Sequence, residues 1–121
     1  MKIVISSQGN TLDSMVDPRF GRAAQFILYD TETEKFEVLS NQQSLNATQG
    51  AGIKAAETLS GRGAEALITG HCGPNAFQTL SAAGIAIYIG ADGLTVAQAI
   101  DKFKAGELRT AQAPDVKGHW Q

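Results

Sequence analysis

The sequence predicts an α/β fold built on one mixed, five-stranded sheet with flanking helices. Three observations carry that reading. A β-branched run opens the chain, "KIVIS" over Lys2 to Ser6, and suits a buried central strand. Two further runs, "QFILYD" (Gln25 to Asp30) and "KFEVLS" (Lys35 to Ser40), flank the polar turn "TETE" and predict one antiparallel hairpin. Beyond the hairpin, helical and strand-like segments alternate, and strand-helix-strand units with right-handed crossovers run parallel.

Each element has a local cause. Between the first strand and the hairpin, "SQGNTLDSMVDPRFGRA" is rich in Gly, Asn, Asp and Ser. It is long for a connection, where about 4 to 6 residues is usual, and such length marks function or disorder. In "KFEVLS", Phe36 and Val38 alternate with Glu37 and Leu39, as in a strand near a sheet edge. Asn46 or Thr48 is placed to cap a helix over "QGAGIKAAETLSG", whose Ala51, Ala55 and Leu59 form a small apolar face. "AEALIT" (Ala64 to Thr69) is the next strand. "PNAFQTLSAA" is a helix with Pro74 in its first turn, Phe77 and Leu80 toward the core and Gly84 as its stop. "IAIYI" (Ile85 to Ile89) follows as a strand. The last helix, "TVAQAIDKFKAG", opens with a Thr95/Gln98 capping box and buries Val96, Ala99, Ile100 and Phe103. We expect one domain over residues 1–106 and a loosely structured tail over 107–121.

Composition narrows the function. With 121 residues and 43% hydrophobic content, the chain can bury a core without disulfides or metal. Ten basic against twelve acidic residues, net −2, leave no polybasic field, which argues against nucleic-acid binding. Apolar runs such as "GIAIYIG" are strand-sized, short of the roughly 20 residues of a spanning helix, and no charged-then-apolar leader is present. These features predict a soluble cytoplasmic protein; a monomer or weak dimer is the expected state. The single cysteine, Cys72, cannot close an internal disulfide, and four-cysteine zinc or iron–sulfur sites within one chain are excluded.

The candidate site follows from the topology. In open α/β sheets ligands bind outside the carboxyl ends of parallel strands. Three loops leave such ends: the long first loop, "TGHCGP" and "GADGLT". In "GHCGP", the glycines permit close approach, Pro74 starts a helix, and the first-turn amides favour a thiolate or another anion. His71 and Cys72 are candidate ligands for copper(I), zinc or iron. The alternative is that Cys72 is a small buried hydrophobe and that the glycines serve the turn. His119 is a weaker candidate to complete a ligand set. In "DPRFGRA", Arg19 and Arg22 bracket Phe20-Gly21, and two guanidinium forks in one loop resemble an anion clamp. Pairing with Asp13, Asp17 or Asp30 is the competing account. No nucleotide fingerprint, serine elbow or spaced carboxylate pair occurs.

Taken in order, "DPRFGRAAQF", "GAGIKAAE" and "GPNAFQTLSAAGI" resemble the dinitrogenase iron-molybdenum cofactor biosynthesis family, from Met1 to about Gly106. The matching segments are Asp17 to Ala23 and Gly73 to Phe77. The resemblance implies a ribonuclease H-like fold and non-enzymatic binding of an anionic metal-sulfur species, either an iron-molybdenum cofactor precursor or a molybdenum-copper cluster. Within these segments Arg19, Arg22, Gly73 and Asn75 are the expected cofactor-binding residues, on the anion-binding chemistry of the arginines and helix amides, and cluster-donor or acceptor proteins are the expected partners. The His71-Cys72 pair is the part of the loop that the resemblance does not supply. A ribonuclease H-like fold does not imply a nuclease here, because "KIVISS" lacks the metal-binding carboxylate such enzymes carry in the first strand. A thiol-dependent enzyme or redox protein using Cys72 is the competing function.

Overall fold

The computed structural model describes residues 1–41 and 50–111. Among these residues six strands and three helices occur: β1 (Lys2–Ser7), β2 (Gln25–Asp30), β3 (Phe36–Ser40), α1 (Ala51–Gly61), β4 (Ala66–Ile68), α2 (Pro74–Ala82), β5 (Ala86–Ile89), α3 (Val96–Lys104) and β6 (Arg109–Thr110). They form one sheet in the order β3-β2-β1-β4-β5-β6. β1 is central, antiparallel to β2 and parallel to β4. β4 and β5 are parallel, and β2 and β3 form the antiparallel hairpin.

Side-chain alternation along β1 divides the core in two. Val4 faces a cluster with Phe26, Leu28, Leu39 and Leu67, covered by Ala55, Ala56 and Leu59 of α1 and Ala76 and Leu80 of α2. Ile3 and Ile5 face the opposite cluster with Ile27, Tyr29 and Ile68, covered by Val96, Ala99 and Ile100 of α3. Phe77 and Phe103 pack against these clusters half-buried.

The caps differ in kind. Thr95 and Gln98 form the reciprocal capping box that opens α3. α1 instead starts at Gly50 in the left-handed region, φ 74°, with no side-chain cap. The expected caps Asn46 and Thr48 lie outside the described residues, as do His119 and Trp120.

The sheet has six strands rather than five. The sixth, β6, runs antiparallel to β5 through Tyr88↔Thr110 and Ile89↔Arg109, inside the segment expected to be loose. A two-residue strand has no period to read in the sequence. It forms because β5 would otherwise be an unpaired edge, and the Ala111 amide extends the pairing by donating to the Ile87 carbonyl at 2.7 Å.

Candidate functional site

The loops after β1, β4 and β5 meet at the carboxyl ends of those strands, and main-chain bonds hold them together. The Asp17 amide donates to the Ser6 carbonyl (2.9 Å), the Val16 amide to Leu94 (2.9 Å) and the Val96 amide to Ser14 (2.8 Å). The His71 amide donates to the Pro18 carbonyl at 2.8 Å, the Phe20 amide returns to His71 at 3.4 Å, and Arg19 and His71 form a parallel bridge. The Gly90 amide donates to the Gly70 carbonyl at 3.1 Å, joining the third loop to the second.

Gly70 is the close-contact point. A Cβ there would lie 2.8 Å from both Cα and the carbonyl oxygen of Pro18 and 3.0 Å from Cβ of Asp92. Only glycine lets the three backbones approach this far. Beneath them, the fully buried Ser6 hydroxyl donates to the Asp17 carbonyl (2.7 Å) and lies 2.8 Å from the Thr69 hydroxyl. No sequence motif marks Ser6 and Thr69 as parts of the site. Their signal was present: each is a polar residue ending an otherwise apolar strand, where a buried hydroxyl needs a partner.

Within the first loop, Phe20 anchors and Asp17 organises. Phe20 is buried, with its ring centroid 5.3 Å from that of Phe26. Asp17 accepts the amides of Arg19 (3.1 Å) and Ala24 (3.4 Å) on its two carboxylate oxygens. Buried Asn41 donates through Nδ2 to the carbonyls of Gly21 (3.4 Å) and Ala23 (2.8 Å). These bonds fix the turn that presents Arg19 and Arg22. Asp17 thus spends both oxygens on amides, while Asp30 receives the Glu32 amide and lies 3.9 Å from the amino terminus. The exposed Arg19 guanidinium makes no ion pair or side-chain hydrogen bond among the described residues. Arg22 is half-buried and does have a partner.

In the second loop the two singled-out side chains part company. His71 is one-third exposed, and its Nε2 lies 3.9 Å from Oδ2 of Asp92. Cys72 is 1% exposed, belongs to the buried cluster that contains Phe20, Ala23 and Ala76, and has Sγ 3.7 Å from the Gly73 carbonyl oxygen. Gly73 is buried and extended at the start of α2, where no side chain caps the helix, and Asn75 is exposed. Uncapped first-turn amides at a helix N-terminus attract negative charge.

The donor set is therefore one for an anion: a guanidinium with no competing carboxylate among the described residues, helix amides and a primary amide. No group of three or more His, Cys, Asp or Glu side chains that could hold a metal ion occurs among the described residues. No helix among them is long and apolar enough to cross a membrane.

Comparison with known proteins identifies the family and close structural relatives. Residues 1–106 match the model of the family described as dinitrogenase iron-molybdenum cofactor. The apo form of the orange protein from Desulfovibrio gigas is 44% identical, with 95% of this chain and 96% of that chain covered and a TM-score of 0.94. A provisionally named NifB protein from Thermotoga, placed in the DUF35 family, is 43% identical, with 90% and 91% covered and a TM-score of 0.79. Among curated proteins no sequence match is found. The chain belongs to the dinitrogenase iron-molybdenum cofactor family.

Proposed function

We propose that this protein is a non-enzymatic carrier or accessory factor that binds an anionic metal-sulfur cluster where the three loops converge. The cargo is an iron-molybdenum cofactor precursor or a molybdenum-copper sulfide cluster, handed between donor and acceptor proteins in the cytoplasm by a monomer or weak dimer. The observation that carries the reading is the exposed Arg19 guanidinium, which makes no ion pair among the described residues. Its loop is bonded to the turn that opens the uncapped helix α2. Arginine matches an oxyanion or thioanion with paired donors, and helix amides add charge without a competing proton.

Arg19 and Arg22 receive the anion, with the Asn75 side chain and the amides after Gly73 completing the cradle. His71 is the accessible candidate for direct metal ligation. Cys72 joins it only if the turn moves, because its sulfur is buried. That burial also favours the carrier over an enzyme with Cys72 as nucleophile, since an attacking thiolate needs access. The order β3-β2-β1-β4-β5 supports the ribonuclease H-like description.

The test is anaerobic reconstitution with tetrathiomolybdate and copper(I), and separately with iron, sulfide and molybdate, followed by metal analysis and visible spectroscopy. Wild-type protein retains near-stoichiometric metal after desalting, and Arg19→Ala with Arg22→Ala loses most of it. Retention near zero in both mixtures, or equal retention by the double variant, overturns the reading.

A further inference from the structure

A second cleft lies on the far side of the Asp92 loop, between that loop, α3 and β6. Its volume is about 260 Å3, and its lining includes Gly90, Asp92, Leu94, Lys102, Glu107 and Arg109. This is just below the roughly 300 to 1,000 Å3 of drug-sized ligand sites, room for a compact ligand only. Lys102 and Glu107 pair with each other at 3.6 Å. Of the other two charges, one is unpaired among the described residues and one has only a long contact. Arg109 makes no ion pair or side-chain hydrogen bond among the described residues, and the nearest partner of the Asp92 carboxylate is His71 at 3.9 Å.

The local fold accounts for the placement of Arg109. Gly106, at φ 73°, lets the chain reverse after α3, and the pairing of Arg109 with Ile89 then sets it beside the end of β5. From there the backbone heads toward Ile87, away from the cleft. The short sixth strand thus fixes a cation opposite the Asp92 loop, with the half-buried Leu94 and Leu108 supplying apolar surface.

We propose that this cleft binds a small α-amino acid with an aliphatic side chain. Arg109 receives the carboxylate through its paired donors, Asp92 receives the ammonium, and Leu94 with Leu108 contacts the side chain. The lining carries two cations and two carboxylates, so a simple anion gains nothing from the net charge of the site. A zwitterion pairs with Arg109 at one end and offers Asp92 a cation to supplement its long contact with His71 at the other. The proposal is independent of the cluster-carrier reading.

Isothermal titration of the full chain with L-leucine, L-valine and L-alanine tests it, with 4-methylpentanoate and 3-methylbutylamine as probes lacking one charge each. At least one amino acid binds with a measurable constant in the millimolar range or tighter, and each single-charge probe binds at least tenfold more weakly. Arg109→Gln and Asp92→Asn each weaken binding tenfold or more, Arg109→Lys weakens it less than Arg109→Gln, and Arg19→Ala leaves it unchanged. Circular dichroism confirms that the variants fold. Arg109→Gln also loads tetrathiomolybdate and copper as the wild type does, which separates this cleft from the cluster site. No heat from any of the three amino acids, an equal response to 4-methylpentanoate, or wild-type binding by either Arg109→Gln or Asp92→Asn overturns the proposal.

Discussion

Replacing Gly70 with alanine is the sharpest test of how the site is built. The backbone of Gly70 lies outside the left-handed region, so alanine meets no conformational penalty there. The obstacle is steric: the new methyl would lie 2.8 Å from two main-chain atoms of Pro18. Main-chain atoms cannot rotate away, so the first loop must move off the second. Overpacking of this kind costs about 1 to 3 kcal/mol. The displacement also strains the His71-to-Pro18 bond at 2.8 Å and the Gly90-to-Gly70 bond at 3.1 Å, each with a net value of about 1 kcal/mol. A loss of about 2 to 4 kcal/mol follows, out of a typical total of about 5 to 15. Urea unfolding reads it as a midpoint lowered by about 1 to 2 M at unchanged slope. Gly61→Ala is the control. That glycine ends α1 with no atom near its virtual Cβ and no left-handed backbone, so alanine is neutral or stabilises by up to about 1 kcal/mol. Gly70→Ala should also lose cluster retention, which Gly61→Ala keeps. A Gly70→Ala protein within 0.5 kcal/mol of wild type, as judged against typical surface substitutions, refutes the argument that the three loops are locked by this contact.

Further outcomes follow from the same geometry. Asp17→Ala removes the acceptor of the Arg19 and Ala24 amides, costs about 1 to 3 kcal/mol by urea titration, and lowers cluster retention; Asp17→Asn keeps one acceptor and falls between. Thr95→Ala breaks the capping box of α3 and costs about 1 kcal/mol, with no effect on cluster retention. Asp30 is held below the ordinary carboxylate range, chiefly by the Glu32 amide and with help from Lys2 and the amino terminus. Its contribution is present above the unfolded-state value and lost as pH falls through the folded one, so Asp30→Asn flattens the acid limb of stability against pH. Lys104 is raised above its ordinary value, chiefly by its hydrogen bond to the Tyr29 hydroxyl. That contribution is complete below the unfolded-state value and vanishes as pH rises through the folded one, and Tyr29→Phe removes this part of the alkaline dependence.

The legible parts of the fold were those with a local cause. The hairpin around "TETE", the Pro74 helix start and the Thr95/Gln98 box each advertise themselves within a few residues, and all three stand where the pattern put them. β6 has no such cause, since Arg109 and Thr110 are strand only because β5 offers an edge. The convergence of the three loops was legible from topology. Its mechanism was not, because it runs through main-chain bonds such as Val16 to Leu94, to which side-chain identity is blind. Burial divided two residues that the sequence treats alike: His71 and Cys72 are neighbours, yet His71 is one-third exposed and Cys72 is buried. The acceptors available to Arg19 were also hidden, because Asp17 is close in sequence but commits its oxygens to amides.

The position of β1 in the sheet order bears on the order of assembly during synthesis. Its antiparallel partner β2 follows within the first 30 residues, whereas its parallel partner β4 begins at Ala66. A nascent chain can close the hairpin side of the sheet early but must wait for Ile68, and then for Gly90, before the bonds that bind Pro18 to His71 and Gly70 to Gly90 exist. Pairings of such long sequence separation are reached late, since loop closure must come first. The three-loop junction is therefore complete only when the second half of the chain has docked; under the proposed carrier role, a truncated or partly unfolded molecule has no half-built cradle with which to capture a reactive cluster.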